Sequence, residues 1–348
     1  MKILILTQKV DAKDPVLGFF CRWIRQFASQ ADEVKVICLY KGEYDLPLNV
    51  KVYSLGKESG QSRIKYVYRL LKYSWDFRNE YDIVFVHMNQ IYVNICGLLW
   101  KALGKKIGLW YAHGAVSGSL KLALALSDIV FTSTKEGFRI PSSKVTVVGQ
   151  GIDTEYFTLK SAEQAEKKPF EIIYFGRISP VKKIEHLLEA VALVKDRIDL
   201  VVNIIGPAES MEQKNYLSKI KSLTHTLGIA NRVTFIGGVP NDEIVGWLKR
   251  ADVFVNPSQT GSLDKTGLEA MACGVPVLTS NEAYSSVIGK FQDRLFYQKD
   301  SVEDMSLKIA SLAFSQDLPI LGMQLRDIVV REHGVRQLIS RILEKYQE

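Results

Sequence analysis

Two short stretches of this chain hold side chains suited to an anionic, phosphorylated ligand. The first runs Tyr174-Phe175-Gly176-Arg177-Ile178-Ser179-Pro180-Val181-Lys182-Lys183. A strand should end at Gly176, with two cations leading into a helix. A guanidinium such as Arg177 offers a planar fork to two oxygens, and the Lys182 ammonium a mobile point charge. Together they suit a pyrophosphate, although a basic loop standing alone would read as solvated surface. The second stretch, from Asn256 to Leu278, reads as strand, small-residue loop, short helix, glycine stop and strand. Its middle is Gly261-Ser262-Leu263-Asp264-Lys265-Thr266-Gly267-Leu268-Glu269. Backbone N–H groups at 264–267 would open a helix there, and unpaired amides with the helix dipole favour an anion. Glu269 falls about one turn inside, where its carboxylate can accept hydrogen bonds from a sugar diol. By itself it would be an ordinary solvated helix carboxylate.

Histidines end two other apolar runs. Trp110-Tyr111-Ala112-His113-Gly114 and Phe85-Val86-His87-Met88 each place an imidazole at the carboxyl end of an expected strand. His87 is a candidate lining residue for an acceptor pocket. His186, His225 and His333 fall on or beside expected helices and carry no assigned chemistry.

Loops can present these groups only if strands and helices hold them. Short apolar runs alternate with helical stretches along the whole chain. In the first half, strands are expected at 2–7, 34–39, 83–87, 106–111, 129–132 and 145–148, with helices at 18–30, 62–78 and 91–103. After 169 the alternation restarts. Strands are expected at 172–175, 200–205, 233–235, 253–256 and 277–279, with helical stretches at 184–195, 211–226, 242–250, 268–272 and 335–347. Near-continuous apolar strands separated by helices imply parallel sheets covered on both faces. The fold class is therefore α/β, with two doubly wound, Rossmann-like domains. Residues 1–157 with about 333–348 form the first, 170–332 the second, and the Lys-, Glu-, Gln-rich segment 158–169 the linker. In such sheets ligands bind beyond the carboxyl ends of strands.

Length and composition agree. The chain has 348 residues, 47% hydrophobic and 24% charged, enough for two cores of ordinary size. No apolar run reaches the roughly 18–20 residues of a membrane span. The longest candidate, 91–111, is broken by Lys101, Lys105 and Lys106. The N-terminus reads as a buried first strand and not as a signal peptide. Cys21, Cys38, Cys96 and Cys273 stand far apart, which indicates neither a zinc site nor a disulfide framework. The expectation is a soluble intracellular protein. The loop after the first strand lacks G-x-G-x-x-G, and the chain has no P-loop and no H-E-x-x-H.

The formal charge of +7 is uneven, with about +9 in residues 1–150 and about −2 in the remainder. The densest part runs from Gln61 to Arg78, where Arg63, Lys65, Arg69, Lys72 and Arg78 are interleaved with Tyr66, Tyr68, Tyr73 and Trp75. At helical spacing Ile64, Val67, Leu70, Leu71 and Trp75 form an apolar stripe flanked by cations. This is either a solvated face over a core stripe or a surface for anionic lipid or a lipid-linked phosphate. Without a recognition module, no nucleic-acid partner is expected.

Taken together, the Gly-Arg-x4-Lys segment and the Leu-Glu-Ala-Met-Ala-Cys-Gly-Val-Pro-Val run resemble the retaining glycosyltransferases of the GT-B fold, family 4, the "group 1" transferases. The resemblance covers nearly the whole chain. It includes Gly149-Gln150-Gly151-Ile152-Asp153 and a tail helix that in the family crosses back to the first domain. It implies that Gly176, Arg177 and Lys182 meet the donor phosphates, and that Glu269, second glutamate of the E-x7-E motif, binds the ribose. It also implies that His113 lies near the donor sugar and that Gly18 belongs to the loop beneath the phosphates. Gly261 stands where the first glutamate is usual. This chain carries a Gly-Ser-Leu-Asp-Lys variant, so Gly261, Ser262, Leu263, Asp264, Lys265 and Thr266 are the expected donor-binding loop. Asp264 or Lys265 is expected to take over the sugar or phosphate contact.

The implied reaction transfers a hexosyl unit from a nucleoside diphosphate sugar (UDP- or GDP-sugar) to a glycan or a polyprenyl-linked or glycolipid acceptor, with retention. His113, Arg177, Lys182, Asp264 and Lys265 form the expected catalytic set, with no metal and no cofactor. No D-x-D motif is present in a suitable loop, and Arg177 and Lys182 would stabilise the charge on the leaving diphosphate. A cell-envelope or exopolysaccharide pathway, in the cytoplasm or at the inner face of its membrane, is the family-level expectation. Two other readings share the layout: a catalytically inactive nucleotide-sugar-binding partner subunit, suggested by Gly261, and a GT-B-fold nucleotide-sugar 2-epimerase.

Overall fold

Runs such as Ile3-Leu4-Ile5-Leu6 are apolar on both sides of an extended chain and become strands covered on both faces. The computed structural model describes the whole chain except Pro15 and residues 161–168, 241–242 and 259–262. The chain forms two units, Met1–Gly151 with Glu332–Glu348, and Ile152–Arg331.

The first unit holds seven parallel strands: β1 Lys2–Val10, β2 Glu33–Lys41, β3 Val50–Ser54, β4 Ile83–His87, β5 Lys106–Trp110, β6 Ile129–Thr132 and β7 Val145–Val147. Their order across the sheet is β3-β2-β1-β4-β5-β6-β7. Helices α1 Phe19–Ala28, α2 Arg63–Asp76, α3 Ile91–Ala102 and α4 Gly118–Leu126 follow β1, β3, β4 and β5. Leu4, Leu6, Val84 and Val86 meet Leu70, Tyr92, Val93, Trp100 and Leu120 on one face of the sheet. Ile3, Ile5 and Phe85 meet Phe20, Trp23 and Phe27 on the other.

The second unit has a parallel sheet of β8 Phe170–Phe175, β9 Leu200–Ile205, β10 Val233–Gly237, β11 Val253–Asn256 and β12 Val277–Thr279, in the order β10-β9-β8-β11-β12. Its helices are α5 Ile184–Val194, α6 Met211–Thr226, α7 Ile244–Arg250, α8 Lys265–Ala272, α9 Ser285–Ile288, α10 Gln292–Leu295, α11 Val302–Ala313 and α12 Leu318–Ile328. The last helix, α13 Val335–Gln347, returns to the first unit and packs beside α1. Tyr346 anchors it, its hydroxyl donating to the Val84 carbonyl at 2.6 Å. A Cβ on residue 108 would lie 2.1 Å from that hydroxyl, so Gly108 is what lets Tyr346 reach the sheet.

The chain passes into the second unit earlier than its composition suggests. Ile152 and Phe157 are buried in the second core, and Arg326 Nη1 donates to the Phe157 carbonyl at 2.6 Å. Arg326 Nη2 reaches the Thr154 carbonyl at 3.1 Å, fixing residues 152–157 to α12. Most of the expected linker, 161–168, lies outside the described residues. Strand β3, α4 and the helices α9–α12 stand outside the expected elements. Helix α8 begins at Lys265, not 268, because Asp264 is extended (φ −67°, ψ 132°) and ends the loop there.

Candidate functional site

Each sheet reverses its strand order once, between β1 and β4 in the first unit and between β8 and β11 in the second. Loops leaving the two strands at such a point run in opposite directions and leave a crevice at their carboxyl ends. In the second unit, this is where the two phosphate-suited stretches converge. Lys182 Nζ donates to Asp264 Oδ2 at 3.1 Å and lies 3.4 Å from Ser258 Oγ. Asn256 Nδ2 donates to the same Asp264 oxygen at 3.2 Å.

Each of these groups has a rigid support. Asn256 is the last residue of β11, paired with Thr279 of β12, and Thr279 Oγ1 donates to the Asn256 carbonyl at 2.9 Å. Asn256 Oδ1 accepts from the Ser258 amide at 3.1 Å, turning the chain immediately after the strand. Asp264 precedes α8 but makes no side-chain cap to it, because its carboxylate faces Lys182 and Asn256 instead. The Asp264 carbonyl accepts the buried Tyr284 hydroxyl, and burial holds that phenol protonated, well above the usual tyrosine range. A Cβ on residue 267 would lie 2.2 Å from the same hydroxyl, so glycine is required there.

The β8 side is pinned by backbone. The Gly176 amide donates to the Ile205 carbonyl at 3.0 Å, and the buried Tyr174 hydroxyl donates to the Arg177 carbonyl at 3.0 Å. A Cβ on Gly206 would come within 1.8 Å of the Gly176 carbonyl oxygen, so only glycine lets these two loops approach. Lys182 ends a short 3-10 turn, Pro180–Lys182, and is partly buried, while Arg177 is exposed. The first amide of α5, on Ile184, is already taken by the Tyr216 hydroxyl at 2.8 Å. Glu269 is buried one turn inside α8, and Lys265 and Thr266 are partly exposed at its start. Leu263 is buried in the hydrophobic core and anchors the loop there by its side chain. Gly261 and Ser262 lie outside the described residues.

In the first unit the expected residues do not converge in this way. His113 is exposed after β5, and its Nδ1 accepts the Ala115 amide at 3.1 Å. In the neutral ring the proton therefore sits on Nε2. Gly18 precedes α1, and a Cβ there would lie 2.6 Å from the Asp14 carbonyl oxygen. The Asp14 carboxylate accepts the Val16 and Leu17 amides at 2.9 and 2.7 Å, closing the loop after β1 on itself. These bonds and Lys9 outweigh partial burial and hold the Asp14 carboxyl below its ordinary range. His87 does not line an open pocket. It is 3% exposed, stacked on Phe20 with centroids 4.0 Å apart and edged by Phe19 and Trp23.

Asn256 and Tyr284 were not singled out in the sequence. Asn256 carries a faint signal, a polar residue closing the apolar run Val253-Phe254-Val255. Nothing local marks Tyr284, which reaches Asp264 from 20 residues away.

Residues 156–319 match the family model described as glycosyl transferases group 1. A GDP-mannose-dependent alpha-(1-6)-phosphatidylinositol monomannoside mannosyltransferase of Mycobacterium tuberculosis (strain CDC 1551 / Oshkosh) is 29% identical over 195 residues, 51% of this chain and 49% of that protein. A D-inositol 3-phosphate glycosyltransferase of Corynebacterium jeikeium (strain K411) is 34% identical over 157 residues, 42% of this chain and 37% of that protein. The chain thus spans about half or less of the length of these curated relatives. Among solved structures, HepE of Anabaena in complex with UDP has a TM-score of 0.80 at 17% identity, covering 100% of both chains. Sucrose-phosphate synthase of Thermosynechococcus elongatus has a TM-score of 0.78 at 15% identity, covering 100% of this chain and 98% of that one. The fold is GT-B.

Proposed function

From the premise that the second unit carries the glycosyl transferases group 1 domain on a GT-B fold, we propose that this protein is a retaining, metal-independent glycosyltransferase. It moves a hexosyl unit from a UDP- or GDP-sugar to a glycan or lipid-linked acceptor. Its place is cell-envelope or exopolysaccharide synthesis, in the cytoplasm or at the inner membrane face. The observation that carries this reading is Lys182 held at the β8/β11 reversal by Asp264, beside the start of α8.

When the sugar–phosphate bond breaks, negative charge grows on the leaving diphosphate. Arg177, Lys182 and the α8 amides would stabilise that charge. Glu269 would bind the ribose, and His113 would sit near the sugar with Nε2–H as its donor. Asp264 takes a narrower role than the sequence suggested. Its carboxylate fixes Lys182 through one oxygen shared with Asn256, so it positions the cation and need not touch the sugar. The bound UDP of HepE and the GDP-mannose dependence in the mycobacterial relative's name support a nucleoside diphosphate donor of either base.

The test is thermal stabilisation by UDP, GDP and ADP in EDTA, with wild type and Arg177→Ala/Lys182→Ala. A ligand at about 100 times its Kd stabilises by roughly 2.7 kcal/mol. Stabilisation by one nucleotide, lost in the double variant, is the expected result. No shift with any of them would remove the donor site. Donor binding without transfer or hydrolysis would leave the inactive-subunit reading, and an epimerised free nucleotide sugar would identify the isomerase.

A further inference from the structure

Helices α2, α3 and α4 cover one face of the first unit's sheet, and α1 with α13 cover the other. The two layers treat their outward sides differently. Neither α1 nor α13 exposes a large apolar side chain, since Phe20, Trp23, Leu338 and Ile342 all turn inward. On α2, Leu70 and Ser74 turn inward, whereas Ile64 (82% exposed), Tyr68 (64%) and Trp75 (50%) face solvent with Val67 and Leu71. These five positions recur at the spacing of one helical stripe. The phase of α2 thus removes Leu70 from the stripe read in the sequence and adds Tyr68. The same layer continues with Leu98 of α3 (72% exposed) and with Leu122 of α4.

Both layers are basic, α1 and α13 carrying Arg22, Arg25, Arg336, Arg341 and Lys345 against Glu344, so what sets the α2–α4 layer apart is that its cations flank exposed apolar side chains. Across α2, α3 and α4 stand Arg63, Lys65, Arg69, Lys72, Lys101 and Lys121 against one acid, Asp76, which pairs with Lys72. The Arg78 guanidinium lies 4.5 Å from the centroid of the Trp75 ring. Solvent-facing apolar stripes cost a protein solubility, and one rimmed by cations marks an interaction surface. Tyrosine and tryptophan favour the boundary between an apolar phase and water, and long basic side chains can reach past them to phosphate headgroups.

We propose that the α2–α3–α4 face rests on a bilayer containing anionic phospholipid, with Ile64, Tyr68 and Trp75 entering the interface and Arg63, Lys65 and Lys72 meeting headgroups. This goes beyond the donor-site reading and depends on a different unit of the chain. Among the described residues no helix is long and apolar enough to cross a membrane, so the contact is peripheral.

Sedimentation with vesicles of phosphatidylcholine, alone or mixed with phosphatidylglycerol, tests it. The full chain should pellet with the mixed vesicles at low salt and be released by salt. Arg63→Gln/Lys65→Gln/Lys72→Gln should weaken partition on the order of 100-fold, and Ile64→Ser/Trp75→Ser about 10-fold. Binding should shift Trp75 fluorescence to the blue, and Trp75→Phe should remove that shift. All these side chains are exposed, so the variants should keep the wild-type Tm and nucleotide binding. Wild type that binds UDP or GDP but not anionic vesicles at low salt overturns this proposal and spares the donor site. Self-association lost in Ile64→Ser/Trp75→Ser would assign the face to a second copy and overturn it as well.

Discussion

The two sheets reverse strand order in the same way but hold opposite contents at the reversal. Between β1 and β4, His87 is enclosed by Phe19, Phe20 and Trp23, and the loop after β1 is closed by Asp14 and Gly18. Between β8 and β11, Lys182, Asp264 and Asn256 share one carboxylate oxygen, with Lys182 and Asp264 partly exposed. The topology supplies a crevice in both places, and the second is furnished with a cation, a carboxylate and a helix start brought together from the two phosphate-suited stretches. Strand order thus locates candidate sites, and side chains decide which of them does chemistry.

The largest effect should come from emptying the furnished crevice. Arg177→Ala/Lys182→Ala should abolish nucleotide stabilisation and lower kcat/KM by about 10³-fold or more, as expected when charged transition-state donors are removed. A nucleotide titration with steady-state transfer assays measures both. If the double variant bound UDP or GDP like wild type, the contrast between the crevices would be broken.

Acid should weaken the first unit next. His333, where the chain rejoins the first unit, is buried, and burial pushes its imidazole down to about 4, with Arg341 acting in the same direction against Glu332. An unfolded histidine titrates near 6.5, so between these values the unfolded chain binds the extra proton. His333 therefore contributes stability in full above about pH 6.5, and that contribution is lost as pH falls through about 4. The loss reaches about 3 kcal/mol at the lower end. Denaturation followed from pH 7.5 to 4 should be less steep in His333→Asn. Equal slopes would mean that this histidine is not held neutral.

Much of this arrangement could be read in the sequence. Strands β4, β6, β9, β11 and β12 and helices α6 and α13 fall at the positions that apolar period and breakers indicate, because their signals are local. The Arg177 and Lys182 cluster was legible for the same reason: both lie just beyond an apolar strand. Nonlocal fits were not legible. Which face of α2 turns inward depends on packing against α3 and the sheet, so Leu70 and Tyr68 exchanged places. His87 looked accessible because nothing adjacent in sequence shows that α1 will lay Phe20 across it. That Asp264 meets Lys182, 82 residues away, is likewise a tertiary fit that no local signal marks.

Asp264 sharpens the contrast at a smaller scale. If it positions Lys182, Asp264→Ala should lower kcat/KM by roughly 10–100-fold, the worth of a hydrogen bond to a charged group. Asp264→Asn keeps an acceptor at the same place and should lose only about fivefold. The loss should appear with nucleotide alone as weaker UDP or GDP binding. If Asn and Ala were equally damaging and nucleotide affinity were unchanged, Asp264 would be a sugar contact instead.

The smallest effect is expected at the other crevice. His87 contributes one ring to an aromatic cluster, and its Nδ1 is 3.5 Å from Thr7 Oγ1, at the outer limit of a hydrogen bond. Replacing it with leucine removes a stacking contact worth about 1 kcal/mol and leaves an apolar side chain of similar size in an apolar place. The Tm should fall by about 2–4 °C, with kcat and KM for donor and acceptor unchanged within about twofold. Stability and kinetics must both be measured, because they separate the two roles. A packing residue moves the first and spares the second, whereas a residue lining an acceptor pocket raises the acceptor KM at an unaltered Tm. The second outcome would mean that the aromatic enclosure opens when acceptor binds, and that the crevice of the first unit is furnished after all.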